Sequence, residues 1–427
     1  MAAARNEDDD GGGGTLELVA HCLCGAQRFA AEVPLSALPL DVMYCHCTSC
    51  RRATGALYST YVPWPGDPAA IRGSASLSSS SSLRRYAFTD AITTLFCGVC
   101  SSAMFAETRP AGGAPNYGVQ TGVLANVEVP GGGGGGGGGS LLKITHHIFL
   151  GDTLDGGASP WLCDANRDGS RPRLWRGHRG QGEELSSTAH DWPAAASPAA
   201  ADGDTPIRCH CGGVDLVLSP AARDLAGRPR SGLPWFVDPA SGRSLGGFDA
   251  CDSCRLSSGS DVFHWTFALL RHLAFPPTSA GARAGFPASS IELRDAVTAA
   301  AAAAAAARPP PADRDPRWGT LALYESSPGV QRYFCSRCSA CVFYASDDRP
   351  EMVDVAVGLL DSGDGARAES LLSWDFGGEM VWRRDVMGGW REGFIQSVEA
   401  AAERWRLERG YPKNWRRIQK EEAKISN

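Results

Sequence analysis

The chain has 427 residues, 43% hydrophobic and 21% charged, with a formal net charge of −6 and a pI near 5.9. That length allows two or three domains of about 150 residues, each able to bury its own core. The acidic balance argues against a surface that holds nucleic-acid phosphates, and no stretch reaches the ~18 apolar residues of a membrane span, so neither nucleic acid nor membrane is expected as a partner.

Residues 1–14 are small, acidic and glycine-rich, with no apolar signal-peptide core, and read as a disordered head. A cytoplasmic location is expected, with the nucleus left open. From Thr15 an alternating run over Leu16–Val19 predicts a strand that enters Cys22-Leu23-Cys24-Gly25. Next come Cys45-His46-Cys47-Thr48-Ser49-Cys50, predicted strands over Tyr58–Pro63 and Leu83–Phe88 with a polar loop tip at Ser78–Ser82, and Cys97-Gly98-Val99-Cys100. The glycine run Gly131–Gly139 has no side chains to pack and reads as a floppy loop between strands at Val127–Val129 and Leu141–Ile144. Domain one is thus expected over 15–164, followed by a linker over 165–205 rich in Arg, Gly, Ser, Pro and Ala.

Domain two, expected over 206–395, writes the cysteine pattern again. Cys209-His210-Cys211-Gly212 is followed by Asp249-Ala250-Cys251-Asp252-Ser253-Cys254 and by Cys335-Ser336-Arg337-Cys338. Cys50-Arg51 with Gly55 answers Cys254-Arg255 with Gly259, and Phe96 and Phe334 each precede the last pair. The distance from Cys22 to Cys209 far exceeds solenoid periods of about 20–50 residues, so duplication of a whole domain fits better. The alanine tract Ala299–Ala307 is helical by propensity and borders Pro309. Residues 396–427 read as a short charged helix docked by an apolar stripe through Trp405, Leu407, Trp415 and Ile418.

Thirteen of the 15 cysteines sit in this pattern, and clustered C-x-x-C pairs in a chain without a secretion signal point to zinc rather than disulfides. A C-x-C on an extended segment and a distant C-x-x-C complete a closed four-sulfur site. Cys22, Cys24, Cys97 and Cys100 are therefore assigned to a structural zinc, and Cys209, Cys211, Cys335 and Cys338 to its counterpart. Rubredoxin-like iron is the less favoured occupant. Cys45, Cys47 and Cys50 supply three thiolates and leave a position open, which marks a catalytic zinc unless His46, His146 or His147 fills it. In domain two Asp249 stands in place of Cys45, so Asp249, Cys251 and Cys254 form a degenerate site. Cys163 and Cys341 read as buried packing thiols.

These residues resemble the glutathione-dependent formaldehyde-activating (GFA) family, which includes the centromere protein V domain. The resemblance rests on His21-Cys22-Leu23-Cys24-Gly25, on Cys45-His46-Cys47 with Cys50-Arg51 and Gly55, on Cys97 and Cys100 with Phe105, and on the segments Gly118–Leu124 and Val353–Leu360. It implies an all-β fold of two tandem β-tent zinc domains. It further implies a carbon–sulfur lyase that interconverts formaldehyde and glutathione with S-(hydroxymethyl)glutathione, with Cys45, Cys47 and Cys50 as catalytic metal ligands. Arg51 or Arg52 would bind a carboxylate of the tripeptide. The centromere-associated relatives imply the alternative, a zinc-stabilised interaction module without catalysis.

Overall fold

Short runs of β-branched and aromatic residues, broken by Gly, Pro and Ser, give a molecule built mostly of sheet with few helices. The computed structural model describes residues 14–76, 82–110, 112–130, 139–186, 202–277, 285–306 and 316–425. Residues 1–13 of the expected head, most of the Ser78–Ser82 tip and positions 131–138 of the glycine run lie outside the described residues, as do positions 187–201 of the expected linker.

The first half runs β1 (Thr15–His21), β2 (Arg28–Pro34), β3 (Leu40–Cys45), α1 (Thr48–Thr54), β4 (Ser59–Pro63), α2 (Pro68–Ser76), β5 (Leu83–Ala87), β6 (Ile92–Cys97), β7 (Ala103–Thr108), β8 (Asn116–Val119), β9 (Leu142–Ile148), α3 (Ser159–Leu162), β10 (Arg173–Trp175) and β11 (Glu184–Leu185). The second half runs β12 (Thr205–Arg208), β13 (Asp215–Leu218), α4 (Ala222–Leu225), β14 (Ser244–Asp249), α5 (Asp252–Ser258), β15 (Phe263–Leu269), β16 (Leu273–Ala274), α6 (Ser290–Ala306), β17 (Leu321–Ser327), β18 (Val330–Cys335), β19 (Cys341–Ser346), β20 (Met352–Ala356), β21 (Leu372–Trp374), α7 (Trp390–Glu408) and α8 (Trp415–Ile425).

The same sheet is built twice. Its order is β9-β3-β4-β8-β7-β6-β5 in the first half and β21-β14-β15-β20-β19-β18-β17 in the second. In both, the strand that delivers the middle metal-ligand block lies parallel to the late strand beside it, β3 to β9 and β14 to β21. A separate antiparallel hairpin, β1-β2 or β12-β13, carries each C-x-C. Strand β20, buried at every position, reads as a central strand covered on both faces.

Four expectations need correction. Residues 165–186 are not free linker: β10 adds parallel to β9 and β11 pairs with β10, with Leu174 and Trp175 buried, so the apolar residues among the arginines have a sheet edge to cover. Val127–Val129 form no strand, because the Val127 carbonyl accepts the Trp390 N–H at 3.0 Å instead of a ladder bond. The C-terminal tail begins before 396 and comprises two helices. Trp390, Phe394, Ile395, Val398, Ala402 and Trp405 form the buried stripe of α7, and Gly410 with Pro412 separates it from α8. Finally, each C-x-C is a turn rather than an extended segment. Cys22 follows the last residue of β1, Gly25 N–H donates to the Cys22 carbonyl at 3.1 Å, and Gly25 has φ +76°; Gly212 repeats this with Cys209 at 3.1 Å and φ +70°.

The two halves meet through matching residues. Helices α1 and α5 end at Gly55 (φ +82°) and Gly259 (φ +77°), left-handed caps that free their carbonyls. The Gly55 carbonyl accepts the Gly358 N–H at 2.9 Å, and the Gly259 carbonyl accepts the Gly122 N–H at 2.9 Å. A Cβ at Gly55 would lie 2.2 Å from the Cys341 carbonyl oxygen, so the backbones approach as only glycine allows. Beside this crossing, Asp261 and Arg391 form a fully buried pair at 3.1 Å, and Asp261 also accepts a hydrogen bond from Thr121. The pair therefore joins the second half and α7 to the first half.

Candidate metal centres

The chain order brings together residues that are far apart in sequence. Cys22 and Cys24 on the first turn meet Cys97 and Cys100, which bracket the β6-β7 hairpin, with all four sulfurs within 4.8 Å of one another. Cys22 and Cys24 Sγ lie 3.5 Å apart, and Cys24 and Cys97 3.6 Å. A tetrahedral zinc with bonds of ~2.3 Å places its sulfurs ~3.8 Å apart, so the donor set fits that ion. Backbone and hydroxyl groups hold the sulfurs in place: Gln27 N–H donates to Cys22 Sγ at 3.2 Å, and Ser102 Oγ lies 3.2 Å from Cys100 Sγ. Cys209, Cys211, Cys335 and Cys338 repeat the cage, with sulfur separations of 3.6 and 3.4 Å and Thr320 Oγ1 2.9 Å from Cys335 Sγ. All 15 cysteines are free thiols.

The middle block needs a different local device. Strand β3 ends at Cys45 and the chain turns at once into α1, with Cys47 as the residue before its first turn; the Cys50 N–H donates to Cys47 Sγ at 3.2 Å. Cys45, Cys47 and Cys50 thereby converge within 4.8 Å, the outer two buried and Cys47 half-buried. Hydrogen bonds from the Cys45 and Cys50 thiols hold the Cys47 thiol down to about 3, and the same contacts push Cys45 up. Three converging sulfurs, one of them held low, make a donor set suited to a cation. Met43, Phe88, Ile148, Phe149 and Trp175 pack around the cluster.

No histidine joins this triad among the described residues. His46 Nε2 lies 2.7 Å from His147 Nδ1 on the adjacent strand β9; both rings are fully buried, and burial holds both below the usual histidine range. His146 is a half-buried neighbour on the same strand. Arg51 is only 6% exposed, and its guanidinium donates to Thr48 Oγ1 at 3.1 Å and to the Asp152 carbonyl at 3.4 Å. It faces its own helix rather than solvent. Arg52 pairs with Asp361 of the second half at 2.8 Å. Cys163 and Cys341 are buried outside every cluster, and burial pushes each thiol up to about 12.

In the second half Asp249, Cys251 and Cys254 converge as tightly as their counterparts, within 4.8 Å. The Asp249 side chain is aimed by its own turn, since Asp249 Oδ1 accepts the Cys251 N–H at 2.7 Å, and burial pushes its carboxyl up. Sequence reasoning missed what surrounds this set. A cavity of about 750 Å3 is lined by all three ligands and by Arg332, Tyr344 and Arg349. The signal was present: Arg332 stands three residues before Cys335, where Thr94 stands three before Cys97.

Residues 17–131 match the family model described as glutathione-dependent formaldehyde-activating enzyme. That segment of the first half is similar to the GFA family. The match includes both cysteine sets of that half and ends before the second copy begins. Searches of curated proteins and of solved structures gave no significant match.

Proposed function

We propose that the GFA domain works as a zinc-dependent carbon–sulfur lyase on S-(hydroxymethyl)glutathione or a closely related thiol adduct. The observation that carries this reading is the Cys45–Cys47–Cys50 triad, three sulfurs with no fourth protein ligand among the described residues, inside a domain matched to the family. In the synthetic direction the glutathione sulfur bonds to the formaldehyde carbon, the C=O π bond opens, and the thiol proton ends on the new hydroxyl. The lyase direction reverses each change.

Cys45, Cys47 and Cys50 would hold the zinc, which would supply Lewis acidity toward an incoming thiol. The chain does the rest. Cys47, the most exposed of the three, marks the approach for a small thiol, and the apolar wall of Phe88, Phe149 and Trp175 limits water beside the reacting carbon. Arg51, buried next to Cys47, balances thiolate charge from behind rather than reaching for a substrate carboxylate. The second half, with the same strand order and a matching cage, is read as a diverged copy of the same domain.

Because thiols add to formaldehyde without help, the test is a rate and not a yield. Two-dimensional exchange NMR on 13C-formaldehyde and glutathione should show the free and adduct carbons exchanging faster with the zinc-loaded chain than with a demetallated sample. Equal exchange in the two samples would leave the non-catalytic interaction module as the better reading, with no dependence on a small thiol.

A further inference from the structure

We propose that the second half holds a separate site of different chemistry: a zinc-class cation on Asp249, Cys251 and Cys254, its remaining position facing the cavity and taking the carboxylate of a small organic acid, with the Arg332 guanidinium as the anion's second partner. The ligand atoms converge as they do in the GFA domain, and all three residues line the cavity together with Arg332.

Charge and softness separate the two sites. Three thiolates around a divalent ion leave a formal −1, and the residue at the position of Arg332 in the first half, Thr94, is neutral. One carboxylate and two thiolates also leave −1, but Arg332 cancels it. Its terminal nitrogen lies 3.7 Å from Cys254 Sγ, its Nε donates to Ser326 Oγ at 3.2 Å, and it stacks 5.1 Å from the Tyr344 ring. None of these direct partners is a carboxylate, although the side chain is only 6% exposed; Asp249 and Asp354 act on the guanidinium through space, and a cation buried that far is favoured by anions around it. Arg51 and Arg255 occupy matching places in the two halves and do not distinguish them.

An oxygen ligand with a screened thiolate makes a harder cation than three thiolates do, and hard cations prefer oxygen donors. Arg332 adds the planar donor fork that suits a carboxylate. Arg349, which pairs with Asp354 at 3.0 Å, also lies 5.4 Å from the Tyr344 ring, so two guanidiniums contact that ring. The Asp249 substitution therefore changes what the site accepts, and the site is not simply lost.

The experiment uses the full chain loaded with cobalt(II), whose visible bands report ligand changes, with acetate as the probe. Native mass spectrometry should find one metal fewer in Cys251→Ser than in the wild type, and acetate should shift the cobalt bands of the wild type but not of that variant. Arg332→Gln should keep the metal count and weaken acetate binding roughly tenfold or more, the loss of a charge-assisted hydrogen bond. Cys47→Ala should leave the acetate response intact, so failure of this site and failure of the GFA-domain reading are told apart. An unchanged metal count in Cys251→Ser, an acetate shift that survives in it, or acetate affinity unchanged by Arg332→Gln would each overturn the proposal. If Cys251→Ser does not fold, Arg332→Gln decides alone.

Discussion

Cys97→Ser should strip the metal from the first four-sulfur cage and unfold the first half of the chain. Cys97 is fully buried at the end of β6, and its sulfur lies 3.6 Å from Cys24, which belongs to a hairpin outside the large sheet. The cage is thus a tie between two sheets that share few backbone bonds. A structural zinc of this type contributes on the order of 10 kcal/mol to folding, comparable to the roughly 5–15 kcal/mol net stability of a whole domain. Losing it leaves little margin, and the remaining thiols, buried Cys22 and Cys100 and half-buried Cys24, gain no partner. Thermal melts followed by circular dichroism, with zinc content measured alongside, check this. Cys163→Ser is the control, because that thiol is buried outside every cage and its replacement should cost only about 1–3 kcal/mol. A cooperative melt for Cys97→Ser as high as that of Cys163→Ser would contradict the assignment.

Cys47→Ala should do the opposite, leaving a folded chain without catalysis. Cys47 is half-buried, and its sulfur accepts one hydrogen bond, from the Cys50 N–H, at the start of α1. Removing that acceptor costs about 1 kcal/mol, the usual cost of a lost helix cap. Its chemical cost is larger. Cys45 and Cys50 cannot hold a cation alone as three sulfurs do, and disturbing even the groups that support a metal ligand lowers activity about 10–100-fold. Catalysed exchange between formaldehyde and its glutathione adduct should therefore fall by at least that factor, with the melt almost unmoved. A variant that keeps wild-type exchange would remove the triad from the mechanism.

Cysteine spacing made the residue clusters legible because a C-x-C or C-x-x-C records a local turn, and local turns are written in local sequence. The residues named from the pattern come together in four groups that could hold a metal ion. Strands at Leu16–Val19 and Leu83–Phe88 were equally readable from alternation, and each falls within one residue or so of an observed element. What the pattern could not give was set at long range. Leu174 and Trp175 looked like linker because their partner edge, β9, lies upstream and pairs in parallel across a long connection. Arg51 was expected to reach a substrate carboxylate because its contact with the loop at Asp152 is not encoded in its own helix. The cavity beside Asp249 depends on Arg332 and Tyr344 from strands far along the chain.

The most direct check is the rate at which a chelator removes zinc from the fully loaded chain. Four filled sulfur positions leave a chelator no entry, whereas a site with three protein ligands offers one. The account predicts two phases of release: a fast one, reduced by Cys47→Ala, and a slow one from Cys22–Cys24–Cys97–Cys100 and Cys209–Cys211–Cys335–Cys338. Release in a single phase, or a fast phase that Cys47→Ala leaves untouched, would contradict it.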